Sequence, residues 1–323
     1  MRISQILTAV FVAALLVATV PASAATGNYT LGVQSGTTSD TYAAENLPNA
    51  NVMGYDSIDL AVAALQQGDV DFVLGDLPTL KFYQADSDGL SIAGSFSEED
   101  FGIGVAPGES DLLAAINVAL GEIVDSGEYD TIFAASFGDE IVVLTDDTDA
   151  DTATAYPDAE NATGALAAAL DAGTINFGTD PYYPPFESYI ENTTDMVGFD
   201  VDMANAIAAK IGAAYGDENF SATMVEKTWD ELLAFGYDNY DATLSAMTKT
   251  AQRAENTDFS RAYYSSKQGI LASADSPSIT GVDDLNKAAD PEPEEEEEDD
   301  SPSVTLVVAA LTVGLIAVAR RKN

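Results

Sequence analysis

The chain has 323 residues, of which 46% are hydrophobic, so it is long enough to bury the core of one or two domains. It contains no cysteine and no histidine, which excludes disulfides and thiolate metal sites and disfavours hydrolytic or metal-assisted catalysis. The formal net charge of −42 argues against nucleic acid as a partner.

The N-terminal residues have the pattern of a targeting signal. Residues 1–24 combine a basic start, an apolar run over 6–20 and small residues at 21–24, a pattern typical of a secretory signal peptide. We therefore expect the mature protein to lie outside the cytoplasm. Asn-X-Ser/Thr sequons agree with a glycosylated extracellular surface; they begin at Asn28, Asn161, Asn192 and Asn219.

Residues 28–138 alternate strands and helices. A strand over 31–36 ends in a polar turn, and Ser57 is placed to cap a helix over 58–67 that Gly68 ends. A short buried strand over 70–74 then places Asp76 at its carboxyl edge. A longer helix is predicted over 110–125, with its apolar face formed by residues 112, 113, 116, 120, 123 and 124.

Residues 139–174 are predicted to be an acidic linker, because most of the segment is rich in Asp, Thr and Ala. A short helix over 164–172 is compatible with the sequence, but we interpret the whole segment as a connection. It separates residues 28–138 from residues 175–287, where strands and helices alternate in a similar order. The predicted elements there are a strand over 175–178, helices over 202–211 and 229–235, and a short strand over 241–246.

The C-terminal segment has three parts. Residues 288–303 are a charged, Pro-containing stretch predicted to be an extended stalk, and 304–319 are apolar or small residues predicted to be a transmembrane anchor. Residues 320–323 include a basic trio, which predicts a cytoplasmic end. The region resembles the C-terminal sorting segments of archaeal surface proteins, although it lacks their usual Pro-Gly-Phe triplet.

The strand–helix–strand rhythm, with polar residues at strand ends, predicts an open α/β sheet whose ligand sits beyond the carboxyl edge. Within this pattern, residues 175–287 resemble the N-terminal half of extracellular solute-binding proteins of the polar amino-acid type, and residues 31–138 resemble the C-terminal half. The first resemblance rests on GTDPYYPPFE at 178–187, VGFDVD at 197–202, MTKTAQR at 247–253 and DFSRAYY at 258–264. The second rests on GVQSGTT at 32–38, VDFVLGD at 70–76 and GEYDTI at 127–132.

The two halves stand in reverse order relative to that family. The resemblance therefore implies a two-lobed type II periplasmic-binding-protein fold that is circularly permuted, followed by the C-terminal transmembrane helix. The family's first lobe would come mostly from 175–287 and its second lobe mostly from 28–138. Domain swapping between two chains would satisfy the same halves, so both arrangements stay open.

The resemblance also implies a set of ligand contacts. Arg253 would bind the ligand carboxylate in a bidentate manner, with further hydrogen bonds from Thr248 and the backbone of Ala246. Asp76 would accept hydrogen bonds from the α-ammonium group. Thr37 and Thr38 resemble the family's other carboxylate contacts.

The remaining contacts concern the ligand side chain. Tyr183 and Trp229 resemble the aromatic walls of the family's site, and Asp180 resembles an acidic position that recognises polar or cationic side chains. Gln34 would face the cleft, and Ser245 belongs to the same predicted site. An arginine-like or other cationic amino acid is the first expectation, and glutamine or histidine the second.

The implied function is capture of a free amino acid by hinge closure, without catalysis, cofactor or metal. The partner would be an ATP-driven permease of the ABC type, and the protein would be held on the extracellular face of the membrane by its C-terminal helix. The alternatives are an enzyme similar to cyclohexadienyl dehydratase on the same fold, and a surface-structural or sensor glycoprotein with a vestigial cleft.

Overall fold

The structure is a computed structural model that describes residues 28–138, 140, 144 and 153–287. This part of the chain is mixed α/β with two five-stranded sheets, which confirms the predicted fold class at that level. Within these ranges no helix is both long and apolar enough to cross a membrane. The predicted signal peptide, stalk, anchor and basic end lie outside the described residues and stay predictions.

The first sheet and the helices that pack on it form what we call lobe 2. Its strand order is β2 (Asn51–Tyr55), β1 (Thr30–Gln34), β3 (Phe72–Asp76), β13 (Tyr264–Ser273) and β4 (Leu90–Phe101). The first three strands are parallel, and β13 is antiparallel to both of its neighbours. The helices of lobe 2 are α1 (Thr38–Asn46), α2 (Ile58–Gln67) and α3 (Leu77–Asp86).

The second sheet forms lobe 1 together with the remaining helices. Its strand order is β10 (Ser221–Glu226), β6 (Thr174–Thr179), β11 (Ala242–Thr243), β5 (Gly104–Val105) and β12 (Asp258–Phe259). Its helices are α4 (Ser110–Asp125), α5 (Glu128–Phe137), α6 (Gly164–Ala172), α7 (Phe199–Tyr215) and α8 (Trp229–Leu233). The main apolar core of lobe 1 lies between this sheet and α4 to α7.

Smaller elements complete the described chain. A three-stranded antiparallel sheet consists of β7 (Tyr182–Tyr183), β8 (Glu187–Tyr189) and β9 (Met196–Val197). Short 3₁₀ helices span Ala159–Asn161, Arg253–Glu255 and Val282–Asn286.

Local sequence explains why α2 forms where it does. Its buried residues Ile58, Ala61, Val62 and Leu65 follow the spacing of one helical face. Gly68 ends the helix in the left-handed conformation with φ 78°, which glycine adopts without steric cost. The sequence predicts a helix over 58–67 from this pattern, and the structure has it over the same residues.

Two crossings join the lobes. The chain leaves lobe 2 at the end of β4 and enters β5 of lobe 1 after Gly102-Ile103, and it returns from β12 to β13 through residues 260–263. The two crossing segments run side by side, because Tyr264 pairs with Phe101 and the backbone of Phe101 also bridges to Thr248. The ends of β4 and β13 therefore belong to both lobes.

Two predictions about helices need correction. The face of α4 is right except at Val124, which is exposed, while Leu112, Ile116, Leu120 and Ile123 are buried. Part of the segment interpreted as a linker is the helix α6, where Leu166 is fully buried against lobe 1. The carboxylate of Glu109, which directly precedes α4, accepts a hydrogen bond of 2.6 Å from the Ala165 N–H, and this helps to hold the start of α6 in place.

Substituting Leu166→Ala tests the packing of α6. The side chain is fully buried, so we expect the free energy of unfolding to fall by about 2–5 kcal/mol. Leu60→Ala on α2 is the matched control, since Leu60 is 47% exposed and should cost less than about 0.5 kcal/mol. Equal losses in urea denaturation of the two variants would contradict the packing described here.

Candidate functional site

A cavity lies where the lobes face each other, and in this closely packed arrangement its volume is about 20 Å³. It is lined by all eleven residues that the sequence analysis selected: Gln34, Thr37, Thr38, Asp76, Asp180, Tyr183, Trp229, Ser245, Ala246, Thr248 and Arg253. The structure therefore brings together residues that lie more than 200 positions apart in the chain. The role of each as a ligand contact stays a proposal.

Asp76 ends β3 and is the buried acid on the lobe 2 side of the cavity. Its Oδ2 accepts a hydrogen bond of 2.6 Å from the Tyr183 hydroxyl, and its Oδ1 accepts one of 2.5 Å from the amide of Gln268. Burial, reinforced by the charge of Glu99, raises the pKa of Asp76 to about 7. The carboxyl group is therefore poised to change its protonation state near neutral pH.

Arg253 is the buried cation on the lobe 1 side. Its guanidinium donates to the backbone carbonyl of Thr248 at 3.0 Å and, across the cleft, to that of Gly36 at 3.3 Å. The guanidinium carbon also lies 5.2 Å from the centre of the Trp229 ring, a cation–π arrangement. Burial lowers the pKa of Arg253, and the charges of Glu99 and Asp76 oppose that shift.

Gly36 permits this close approach of the lobes. It has φ 72°, and a Cβ at this position would lie 2.7 Å from Cδ1 of Leu233 on lobe 1. The turn after β1 therefore requires glycine for both its conformation and its contact.

Glu99 lies on β4 at the edge of the cavity. Its Oε2 accepts hydrogen bonds of 2.8 Å from the hydroxyls of Thr38 and Thr248, which belong to lobes 2 and 1 respectively. The amide of Gln268 lies 3.0 Å from the same oxygen. One carboxylate thus joins the two lobes.

Asp180 is a second buried acid in the cavity, located after β6. Its Oδ2 accepts a hydrogen bond of 3.3 Å from Gln34 on the opposite lobe, and its N–H donates to the hydroxyl of Ser245. Burial raises the pKa of Asp180 to about 6, against the lowering effect of the Gln34 hydrogen bond.

A buried pair of acids, Glu187 and Asp200, supports this wall from behind. Glu187 accepts a hydrogen bond of 2.6 Å from Ser245, and Asp200 accepts from the N–H of Ala246 at 2.8 Å and from the hydroxyl of Tyr263 at 2.9 Å. Burial raises the pKa of Asp200 to about 6, and burial together with the charge of Asp200 raises the pKa of Glu187 well above its ordinary value. The pair therefore favours a protonated state.

Some of the predicted contacts need correction in detail. The N–H of Ala246 already donates to Asp200, so of its backbone groups only the carbonyl is left for a ligand. The hydroxyl of Thr37 donates to the carbonyl of Gln34 and accepts from the N–H of Asp40, which caps α1. The hydroxyl of Ser245 lies between Glu187 and Asp180. These three groups shape the cavity wall through their own hydrogen bonds.

The sequence analysis missed Glu99 and Gln268. Glu99 is one of three consecutive acids at 98–100, and the sequence does not indicate which of them faces inward. Gln268 contacts Asp76 and Glu99, and no motif marks it. Both residues lie on strands that lead into the crossings between the lobes, and this position next to the cleft is the signal that could have identified them.

Chemically, the cavity suits a ligand with separated positive charges. Asp76 and Asp180 in the lining outnumber the guanidinium of Arg253, Glu99 adds a third acid next to the lining residue Thr248, and two aromatic rings complete the lining. In the described ranges, no group of three or more acidic side chains has an arrangement that could hold a metal ion.

Comparison with known families supports the resemblance for part of the chain. Residues 175–321 match the family of bacterial extracellular solute-binding proteins, family 3. The match covers somewhat less than half of the chain and extends beyond the described residues. Residues 175–287 are therefore similar to this family by two routes, the sequence motifs and the family match.

Individual proteins similar to this chain are named after the amino acid that they bind. The chain is 33% identical over 105 residues to ABC transporter arginine-binding protein 1 of Escherichia coli K12, covering 32% of this chain and 40% of the relative. It is 35% identical over 109 residues to the arginine-binding extracellular protein ArtP of Bacillus subtilis 168, covering 33% and 39%. The histidine-binding periplasmic protein of E. coli K12 is 31% identical over 117 residues, covering 36% and 41%.

These alignments span about two fifths of each relative's length. The relatives are named as binding proteins, which agrees with the expectation that this chain is not an enzyme. Among solved structures, holo arginine-binding protein from T. maritima is 31% identical over 28% of this chain and 36% of that protein, with a TM-score of 0.24.

The buried acid pair predicts how stability depends on pH. A carboxyl group whose folded pKa is raised stabilises the fold most fully below its unfolded pKa, and this contribution is lost as pH rises through the folded value. The unfolding free energy of the ligand-free protein should therefore fall as pH rises from about 4 through about 6, where the pKa of Asp200 lies.

Glu187→Gln should make this fall shallower, because one buried carboxyl group with a raised pKa is removed. Glu218→Gln is the matched control, since Glu218 is exposed. Urea denaturation of both variants between about pH 4 and 7 measures the difference, and identical slopes would contradict the role given to the pair.

Proposed function

We propose that this protein captures a free cationic α-amino acid with an arginine-like side chain. The observation that carries the proposal is a cavity to which lobe 1 contributes the buried cation Arg253 and lobe 2 the buried acid Asp76. An α-amino acid carries a carboxylate and an ammonium group on one carbon, so it is complementary to such a pair of facing charges.

Each part of the ligand has a partner in this proposal. Arg253 and Thr248 bind the carboxylate, and Asp76 binds the ammonium group with one or more charge-assisted hydrogen bonds. Asp180 binds the distal cation, which Trp229 and Tyr183 flank with their rings. Arginine- and histidine-binding relatives support this ligand class, and the surplus of acids favours the more basic of the two ligands.

Closure of the lobes is the proposed mechanism. Polar contacts cross the cleft from Gln34 to Asp180, from Tyr183 to Asp76 and from Arg253 to the Gly36 carbonyl. A ligand that binds Arg253 of lobe 1 and Asp76 of lobe 2 makes both contacts only in the closed arrangement, and it therefore shifts the population towards that arrangement. The two crossings between the lobes are the natural place for the hinge.

We further propose that the fold is a circular permutation of the solute-binding-protein fold. Lobe 2 is built from residues 30–101 and 264–287, and lobe 1 from residues 104–137 and 156–259. In support, the family match begins at residue 175, while motifs of the family's second half lie before it in the chain. The alternative, exchange of halves between two chains, predicts a dimer in solution.

The proposed setting is the outer face of the membrane, with delivery of the ligand to an ABC-type importer. The extracellular and periplasmic relatives support this location, and one relative is named after an ABC transporter. Anchoring by residues 304–319 is part of the proposal and concerns residues that the structure does not describe.

A thermal-shift screen of the twenty amino acids tests the function. Arginine at 100 times its dissociation constant should stabilise the protein by about 2.7 kcal/mol. Asp76→Asn should weaken arginine binding about 10- to 100-fold, because the charge-assisted hydrogen bonds to the ammonium group are lost. Asp69→Asn is the control, since Asp69 is an exposed acid on the same lobe. If no amino acid shifts the melting temperature, the proposal fails.

The pKa of Asp76 predicts how binding depends on pH. Below about 7 the ligand-free cavity holds a proton on this carboxyl group, and a bound ammonium group must displace it. The dissociation constant for arginine should therefore rise by up to about tenfold for each pH unit below 7. Isothermal titration between about pH 5 and 8 should show proton release on binding; a flat profile would contradict the assignment.

A further inference from the structure

Glu99 accepts hydrogen bonds from groups that a ligand carboxylate would also need. Its Oε2 lies 2.8 Å from the hydroxyls of Thr38 and Thr248 and 3.0 Å from the amide of Gln268. Three donors converge on this one oxygen, and the two hydroxyls come from opposite lobes. This is an arrangement that binds a carboxylate.

A β-bulge directs Glu99 to this position. Gln268 pairs with Phe96 and the preceding Lys267 pairs with Glu98, so Ser97 is an extra residue on β4, with φ 45°. In a regular strand, Phe96 and Glu99 would face opposite sides of the sheet because they are three positions apart. The extra residue brings both side chains to the side of the sheet on which Gln268 lies.

The flanking acids confirm this orientation. Glu98 points outward: its side chain is 82% exposed and forms an ion pair of 3.1 Å with Lys267. Asp100 accepts a hydrogen bond of 2.6 Å from Ser265. Of the three consecutive acids, Glu99 is the one whose carboxylate contacts the residues of the cavity.

The groups around Glu99 are those that the proposed function assigns to the carboxylate of the ligand. Thr248 and Arg253 form that set in lobe 1, and Thr38 resembles a carboxylate contact in lobe 2. The charge of Glu99 is also the largest of those that stabilise the cationic form of Arg253. The carboxylate-binding groups therefore already face a carboxylate that belongs to the protein.

We propose that Glu99 is a built-in competitor for the carboxylate of the ligand and thereby determines specificity. The proposal rests on the proposed function, because it takes the cavity to be an amino-acid site. A bound α-carboxylate must either displace Glu99 from the two threonines or lie beside a like charge, and both reduce affinity. A cation of the same shape without a carboxylate avoids this cost.

The consequence is a preference that differs from that of a simple amino-acid site. Asp76 and Asp180 bind the two cationic ends of an arginine-like molecule whether or not it has a carboxylate. Glu99 supplies the negative charge that the carboxylate would otherwise bring next to Arg253. The protein should therefore accept decarboxylated cationic ligands, that is, guanidino-amines and diamines of similar length.

Isothermal titration of L-arginine and of agmatine, its decarboxylated form, tests this inference. Glu99→Gln keeps the shape of the side chain and removes its charge, so it should shift the ratio of the two dissociation constants at least about tenfold in favour of arginine. Glu98→Gln is the matched control: it removes a neighbouring charge that points into solvent and should leave the ratio unchanged. Agmatine binding by the Glu99→Gln variant also shows that the cavity remains folded.

The outcomes separate the two proposals. If arginine binds the unaltered protein and the ratio is the same in Glu99→Gln, or moves towards agmatine, Glu99 is not a competitor and only this inference is overturned. If neither ligand binds any of the three proteins, the proposed function fails and the inference fails with it. A shift of the ratio in Glu99→Gln that Glu98→Gln shares would show a general charge effect and would also overturn the inference.

Discussion

The pairing of β4 with β13 is the constraint on which the rest of the structure depends. These two long antiparallel strands are hydrogen-bonded from Leu90 with Ser273 to Phe101 with Tyr264, and their ends continue directly into lobe 1. Because both crossings are held in one register, the carboxyl ends of the strands in both lobes face the same space. Asp76 from β3 and the residues after β6 and β11 meet there for this reason.

Electrostatics in the cavity follow from burial rather than from the acidic surface of the chain. Asp76, Asp180, Glu187 and Asp200 are all withdrawn from water, and each has a raised pKa. Arg253 is a buried guanidinium on the same cavity, and of these four acids Asp76 is the one whose charge acts on it. Such a site is unfavourable while empty and charged, since a buried carboxylate without a cation carries a desolvation cost. Binding a cation removes part of that cost, and this links the affinity of the cavity to the instability of its ligand-free form.

Much of the fold could be predicted, because local patterns determine it. The buried face of α2, its glycine end and the bounds of α4 follow from spacing alone, and motif resemblance identified every residue that lines the cavity. What could not be predicted depends on register and on long-range contacts. Glu99 enters the site through an unpaired residue in β4, and Leu166 is buried because α6 packs on lobe 1, where a sequence rich in alanine and aspartate indicates a linker.

The two limits of the described fold both belong to lobe 2. Tyr29 precedes β1, and Asn286 lies in the final 3₁₀ helix, where Asn49 donates to it from the neighbouring segment of the same lobe. Lobe 1 is connected to the rest of the described chain only through lobe 2. A mechanical load applied at either of these limits would therefore be carried by lobe 2, and the cleft-facing elements of lobe 1 would not bear it.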